Sequence, residues 1–144
     1  MSVASLVASG LPVIAHWESA DSGGSFAVAA NGEHVIHDLP FDAVAGHAYL
    51  LDFSGTGFMN TAVASRSKYS LAVGATVVAA QDIGFHSGGW VGLMSVPIAL
   101  TGVYVATATG RATCSLKFWT QAAWNDWVLD AVKHVLTVTD LGPQ

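Results

Sequence analysis

The chain has 144 residues, five basic and ten acidic side chains, a net charge of −5 and a single cysteine. That length is one domain's worth, the lone cysteine excludes an internal disulfide, and five scattered cations argue against a nucleic-acid partner. Only 10% of the residues are charged, against ~25% in ordinary soluble domains, so the roughly 7,000 Å² that a folded chain of this mass exposes has to be covered largely by neutral and apolar groups.

Met1–Gly24 reads as an N-terminal arm, with a possible short strand at Val13–Trp17. No positive region opens it, so a secretory signal is not expected. Leu6, Val7, Leu11, Ile14 and Trp17 make it too apolar for a solvated tail. Those five residues are the expected anchor, laid on a neighbouring subunit. Residues 25–144 read as one domain of short strands separated by turn residues. Phe26–Ala30 and Glu33–Leu39 flank Asn31-Gly32, a hairpin dipeptide. Pro40 is expected to end the second of these, leaving Phe41–Gly46 as a loop. Ala48–Thr56 alternates, with Tyr49, Leu51 and Phe53 inward. Gly55 and Gly57 are expected to bend it before a further strand at Phe58–Ser65. Lys68–Val73 and Ala75–Ala80 follow, and Gln81–Gly89 reads as a loop.

The uncharged run Ile83–Gly110 is long enough to span a bilayer, but it holds His86, several glycines and Pro97. It then alternates: Val103, Val105, Thr107 and Thr109 fall on one face, Tyr104, Ala106 and Ala108 on the other. After Gly110, Ala112, Cys114, Leu116 and Phe118 resume the period of two, which predicts a hairpin over Val103–Phe118 and no membrane span. Leu51, Phe53, Leu116 and Phe118 should share one core. Trp124, Trp127, Val128, Ala131 and Val135 sit at helical spacing, yet Asn125-Asp126 could turn one strand into another, and the strand reading is preferred. A closing strand is expected at His134–Asp140. With no helical crossovers, the class is an all-β antiparallel sandwich.

Six histidines suggest a metal, but residues three apart on a strand, such as His34 and His37, face opposite ways. His16, His47, His86 and His134 are isolated. Asp38 and Asp52 lie in strands, but general acid–base work needs a cleft and a tuned pKa, and the sequence shows neither; no Gly-x-Ser-x-Gly elbow occurs. Ser22–Ser25 and Ser87–Gly89 are glycine-rich turns without the phosphate-loop lysine. Catalytic residues, metals and cofactors are therefore not expected. Trp90, Trp119, Trp124 and Trp127 are expected at an oligomer or partner interface, where tryptophan is enriched, with sugar stacking a lesser possibility.

The stretch Val135–Pro143 adds a resemblance. Leu136, Val138, Asp140, Gly142 and Pro143 fill an L-x-V-x-D-x-G-P pattern. It resembles the last strand of small β-sandwich proteins found among the virion genes of tailed bacteriophages, notably those of actinobacteria. The likeness runs from about Gly46 to Pro143 and departs at Gln121–Trp127, where a tryptophan-rich insertion replaces the usual glycine-containing turn. It implies a jelly-roll or TNF-like sandwich, commonly a homotrimer, and a capsid decoration protein bound to the major capsid protein on the virion surface after assembly in the host cytoplasm. A minor tail or fibre module contacting a host glycan is the alternative. A small hydrolase is a third, with no nucleophile–base pair to support it.

Overall fold

The computed structural model describes residues 10–19, 25–60, 66–84, 93–122, 124–129 and 134–144. Ten strands follow one another: β1 (Val13–Ser19), β2 (Ser25–Val28), β3 (Gly32–Ala43), β4 (His47–Asn60), β5 (Arg66–Val73), β6 (Thr76–Gly84), β7 (Leu93–Val105), β8 (Gly110–Thr120), β9 (Trp124–Leu129) and β10 (His134–Pro143). They form two antiparallel sheets. In the first, β4 pairs along one edge with β7 and along the other with β10 and then β9. β1 covers β10, and β2 covers β9. β1 with β2, and β9 with β10, are thus two interrupted tracks. The second sheet has the order β3-β8-β5-β6. Counted as eight tracks, the first sheet holds 1-8-3-6 and the second 2-7-4-5, the double-Greek-key order of a jelly roll. The sandwich expected from alternation is therefore what the chain forms.

Its inner layer is filled by in-phase residues. Leu51, Phe53, Leu116 and Phe118 lie in one cluster, as expected, with Tyr49, Tyr69, Leu71, Ile98, Leu100, Leu136 and Val138. Cys114 joins them, and burial together with the nearby Asp38 carboxylate pushes its thiol up to about 12. That makes it an inert core group at neutral pH.

Several local expectations are corrected. Val103–Phe118 is not a hairpin: β7 pairs with β4, and β8 pairs with β3 and β5. The residues between them carry the chain from one sheet to the other. Asn31-Gly32 does the same, from β2 to β3, in a turn closed by the Gly32 amide donating to the Ala29 carbonyl at 2.9 Å. β5 and β6 do form a hairpin, through Gly74 at φ 59°, a backbone setting that suits glycine. Pro40 does not stop β3, which runs on through Ala43 opposite β8. β3 is an edge strand, where a missing N–H can face outward without loss. Gly55 and Gly57 do not break β4, which stays paired with β7 from Ala48 to Asn60. The expected loop at Gln81 is still strand β6 as far as Gly84. Residues 13–19, placed in the arm, are strand β1, so the sandwich takes them in. Over the ambiguous segment, Trp124–Leu129 is a strand. Among the described residues, no helix is long and apolar enough to cross a membrane.

Both long sides of the sandwich are closed. On one, the Trp17 ring of β1 stacks on His37 of β3, centroids 4.2 Å apart at 12°. On the other, the Gln81 amide of β6 donates to the Pro97 carbonyl and accepts from the Ala99 amide of β7, each at 3.2 Å.

Candidate functional site

The two outer faces of the sandwich differ in chemistry. The outer face of the second sheet carries charge in matched pairs. Lys117 meets Glu33 at 3.3 Å, and Arg111 meets Asp42 at 3.0 Å. The Ser115 hydroxyl donates to Asp38 at 2.5 Å. Lys68 lies over the half-buried Trp119, 6.0 Å from the ring centre. All are cross-strand pairs: three are directly opposed in register, and Lys117 reaches Glu33 diagonally from its place opposite Val35. Such exposed pairs add little stability, but they keep the face hydrated. All the described cations, Arg66, Lys68, Arg111 and Lys117, belong to β5 or β8 of this sheet.

The first sheet presents a different surface. Its register sets His16, Thr137, Asp52 and Thr101 in one row, then Thr139, Leu50 and Val103, then Ala48 and Val105. Ile14, Val103 and Val105 are exposed at 40%, 53% and 49%. Asp52 accepts the Thr101 hydroxyl at 2.5 Å, and Glu18 pairs with His16 at 3.3 Å. No lysine or arginine lies on this sheet among the described residues.

One end of the sandwich is tied by polar contacts. His47 Nδ1 lies 3.1 Å from Asp140 Oδ1, and the Gly142 amide donates to the same oxygen at 2.8 Å. The Val44 amide donates to the Tyr49 hydroxyl at 2.7 Å, and the Gln144 amide to the Gly46 carbonyl at 3.0 Å. Beside this end a cavity of about 150 Å³ is lined by Ala43, Tyr104, Thr109, Arg111 and Ala112 among others. These contacts hold chain ends together and bring no nucleophile to a base.

The expected site residues are dispersed. Leu6, Val7 and Trp90 lie outside the described residues, as do the glycine-rich stretches 22–24 and 87–89. Leu11 is half-buried ahead of β1. Ile14 faces outward, whereas Trp17, half-buried, packs against the chain's own core. Trp119 is on the outer face of the second sheet. Trp124 and Trp127 pair opposite Val28 and Phe26 through their backbones. Asp38 and Asp52 stand on opposite outer faces. The geometric reason given against a His34–His37 pair is corrected: a bulge between Val35 and His37 places both opposite inward residues, Phe118 and Leu116. A bulge adds one residue and so shifts the phase by one. Among the described residues, no group of three or more His, Cys, Asp or Glu could hold a metal ion.

His37 gives a pH dependence. Burial beside Trp17 lowers its pKa below the ordinary 6.5, and Asp38 opposes that only in part. The unfolded chain therefore takes up this proton at a higher pH than the folded chain. The His37 contribution is complete above pH 6.5 and is lost as the pH falls from there through the folded value. The fall in melting temperature from pH 7 to pH 5 should be smaller in His37→Phe than in the parent. An equal fall in both would show that His37 does not titrate this way.

No protein-family profile matches the chain, and no curated protein matches it. Among solved structures it is similar to the C-terminal CBM6 of the laminarinase LamC from Zobellia galactanivorans, with 13% identity, 84% of this chain and 90% of that one covered, and a TM-score of 0.29. It is also similar to a carbohydrate-binding module, CBM6cm-2, of Cellvibrio mixtus lichenase 5A in complex with cellotriose: 14% identity, 89% and 98% covered, TM-score 0.30. An exo-β-1,3-galactanase from Phanerochaete chrysosporium matches at 15% identity and TM-score 0.29, the alignment taking in 26% of that longer chain. Superpositions this loose say nothing of function, and the class of the protein, a jelly-roll β-sandwich, rests on its own strand order.

Proposed function

We propose that this chain is a non-catalytic structural protein of a phage virion, a capsid decoration protein that self-associates, as a homotrimer, and binds major capsid subunits at the virion surface. One observation carries the reading: the described cations are confined to one outer face, while the opposite face exposes Ile14, Val103 and Val105. A sheet face without a described lysine or arginine and with exposed aliphatic side chains suits a permanent assembly component. The sequence resemblance gives the reading its virion setting. Its pattern residues lie on β10, where Leu136 and Val138 enter the core and Asp140 holds the Gly142 amide. The test is where the protein sits in purified particles. Labelled protein spread over the whole shell is the expected result. Label confined to the tail would move the reading to a tail or fibre module, and particles lacking the protein would reject a virion role.

A further inference from the structure

We infer that residues 1–9 of this chain lie across the outer face of its own first sheet and roof the middle of it. The inference is independent of the virion reading. It places the arm on its own chain, where the sequence suggested a neighbour. The face has a wet rim and a dry middle. Ile14 on β1 and Val103 and Val105 on β7 are exposed at its two edges. Between them Leu50, Thr137, Thr139 and Ala48 are only 7%, 1%, 0% and 1% exposed. Their chain neighbours Tyr49, Leu51, Leu136 and Val138 fill the core, so alternation turns these four outward. Side chains on the outer face of an antiparallel sheet ordinarily reach water. Leu50 stands in a row with Thr139 and Val103, both shorter side chains, so its row cannot cover it. These are the exposures of a single chain, and the cover therefore belongs to the chain itself.

Which segment covers the face follows from where the strands end. The Ser19 end of β1 pairs with His134, where β10 starts, and residues 20–24 and 130–133 are attached there. Residues 61–65 and 85–92 are attached further out, next to Asn60 and Leu93, which pair with each other. Ala48 lies about 20 Å along β4 from Ser54, the residue opposite Val135. A connection of five residues held at both ends reaches only about 10 Å from its attachments, and one of eight about 16 Å. None of these covers Ala48, Leu50 and Thr139 together. Residues 1–9 join at the right end. The Asp140 amide donates to the Pro12 carbonyl at 3.0 Å, and Asp140 is opposite Tyr49, between Ala48 and Leu50 in the chain. Gly10 is an exposed turn residue at φ 80°, a setting that suits glycine and takes the chain out of the line of β1. Nine residues reach about 30 Å, ample for a dry strip of about 14 Å from Ala48 to Asp52, which is opposite Thr137. The chemistry fits as well. Residues 1–9, MSVASLVAS, carry no charged side chain. The Thr137 and Thr139 hydroxyls are shut from water with no hydrogen-bond partner among the described residues, which is how an apolar cover leaves them.

Thiol labelling tests this, because Cys114 is buried and stays unreactive. Leu50→Cys should label slowly in the full chain and roughly tenfold or more faster in a chain lacking residues 1–9. Val103→Cys, at an exposed position, should label fast in both. A silent Cys114 in the shortened chain shows that it has folded. Leu50→Cys that labels fast in the full chain, or stays protected in a folded shortened chain, would overturn the inference. Should the shortened chain fail to fold, the full chain carrying Leu6→Cys and Val103→Cys serves. A short bismaleimide should join these two thiols within one chain and leave the mass that of a single chain. Chains linked in pairs would put the segment on a second copy, and unlinked thiols would put it elsewhere; either result overturns the inference.

Discussion

Phe118→Ala should lower the melting temperature by roughly 10–20 °C, the effect of emptying a fully buried aromatic site. Phe118 is 0% exposed. Its ring tilts against Tyr69, centroids 5.0 Å apart at 51°, and it stands between β3 and β5 on the central strand β8. Emptying a fully buried phenyl site costs about 3–5 kcal/mol, through lost transfer energy and the cavity left behind. The surroundings cannot close over it easily, because β8 is pinned by register on both sides. Val77→Ala gives the contrast: Val77 is 59% exposed on β6, and a surface change of that kind stays within about 0.5 kcal/mol. Thermal unfolding of the two variants should therefore separate widely. A Phe118→Ala protein that melts with the parent would show that the ring is not in the core.

Phe118 also marks what could be read from the sequence. Alternation on β4 and β8 fixed which residues face inward, because a sheet with one buried face writes its phase into the chain. Alternation does not say which strand lies beside which. The Thr107–Gly110 turn joins two strands of period two, and the same turn chemistry serves a hairpin or a crossing between layers; only the register of β7 on β4 decides it. Pro40 misled for a related reason. Proline ends a central strand but is tolerated at an edge, and edge position is a property of the sheet order. The bulge at Ile36 carries no glycine to announce it, and so the phase of His34 and His37 was misjudged. The apolar outer face was hidden by its own composition. Val103-Tyr104-Val105 is apolar on both sides of the strand, and nothing local tells the outward valines from the inward tyrosine. Charge was legible only as a total. That the described cations all fall on β5 and β8 needed the strand order.

Gly102→Ala should destabilise the fold by about 3 kcal/mol, the upper part of the range for forced overpacking. Gly102 sits on β7 opposite Leu51. The rest of the argument is steric: a methyl group built there would meet the Val78 carbonyl oxygen on β6 (2.3 Å) and its carbon (2.8 Å). Those are backbone atoms, with no rotamer to turn away. Relief requires β6 to move off β7 by about 1 Å, since ordinary contacts begin near 3.5 Å. That movement would strain the Gln81 amide, whose two bonds to Pro97 and Ala99 hold the same side of the sandwich together. Gln81→Ala alone should cost no more than about 1 kcal/mol, because those bonds are exposed and water replaces them. The double variant should then fall short of the sum of the two, because each change opens the same seam and contacting sites do not add. Thermal melts of the two single variants and the double variant give all three values. A Gly102→Ala protein as stable as the parent would mean that β6 and β7 stand further apart than this, and strict additivity would mean that Gln81 and Gly102 do not share one seam.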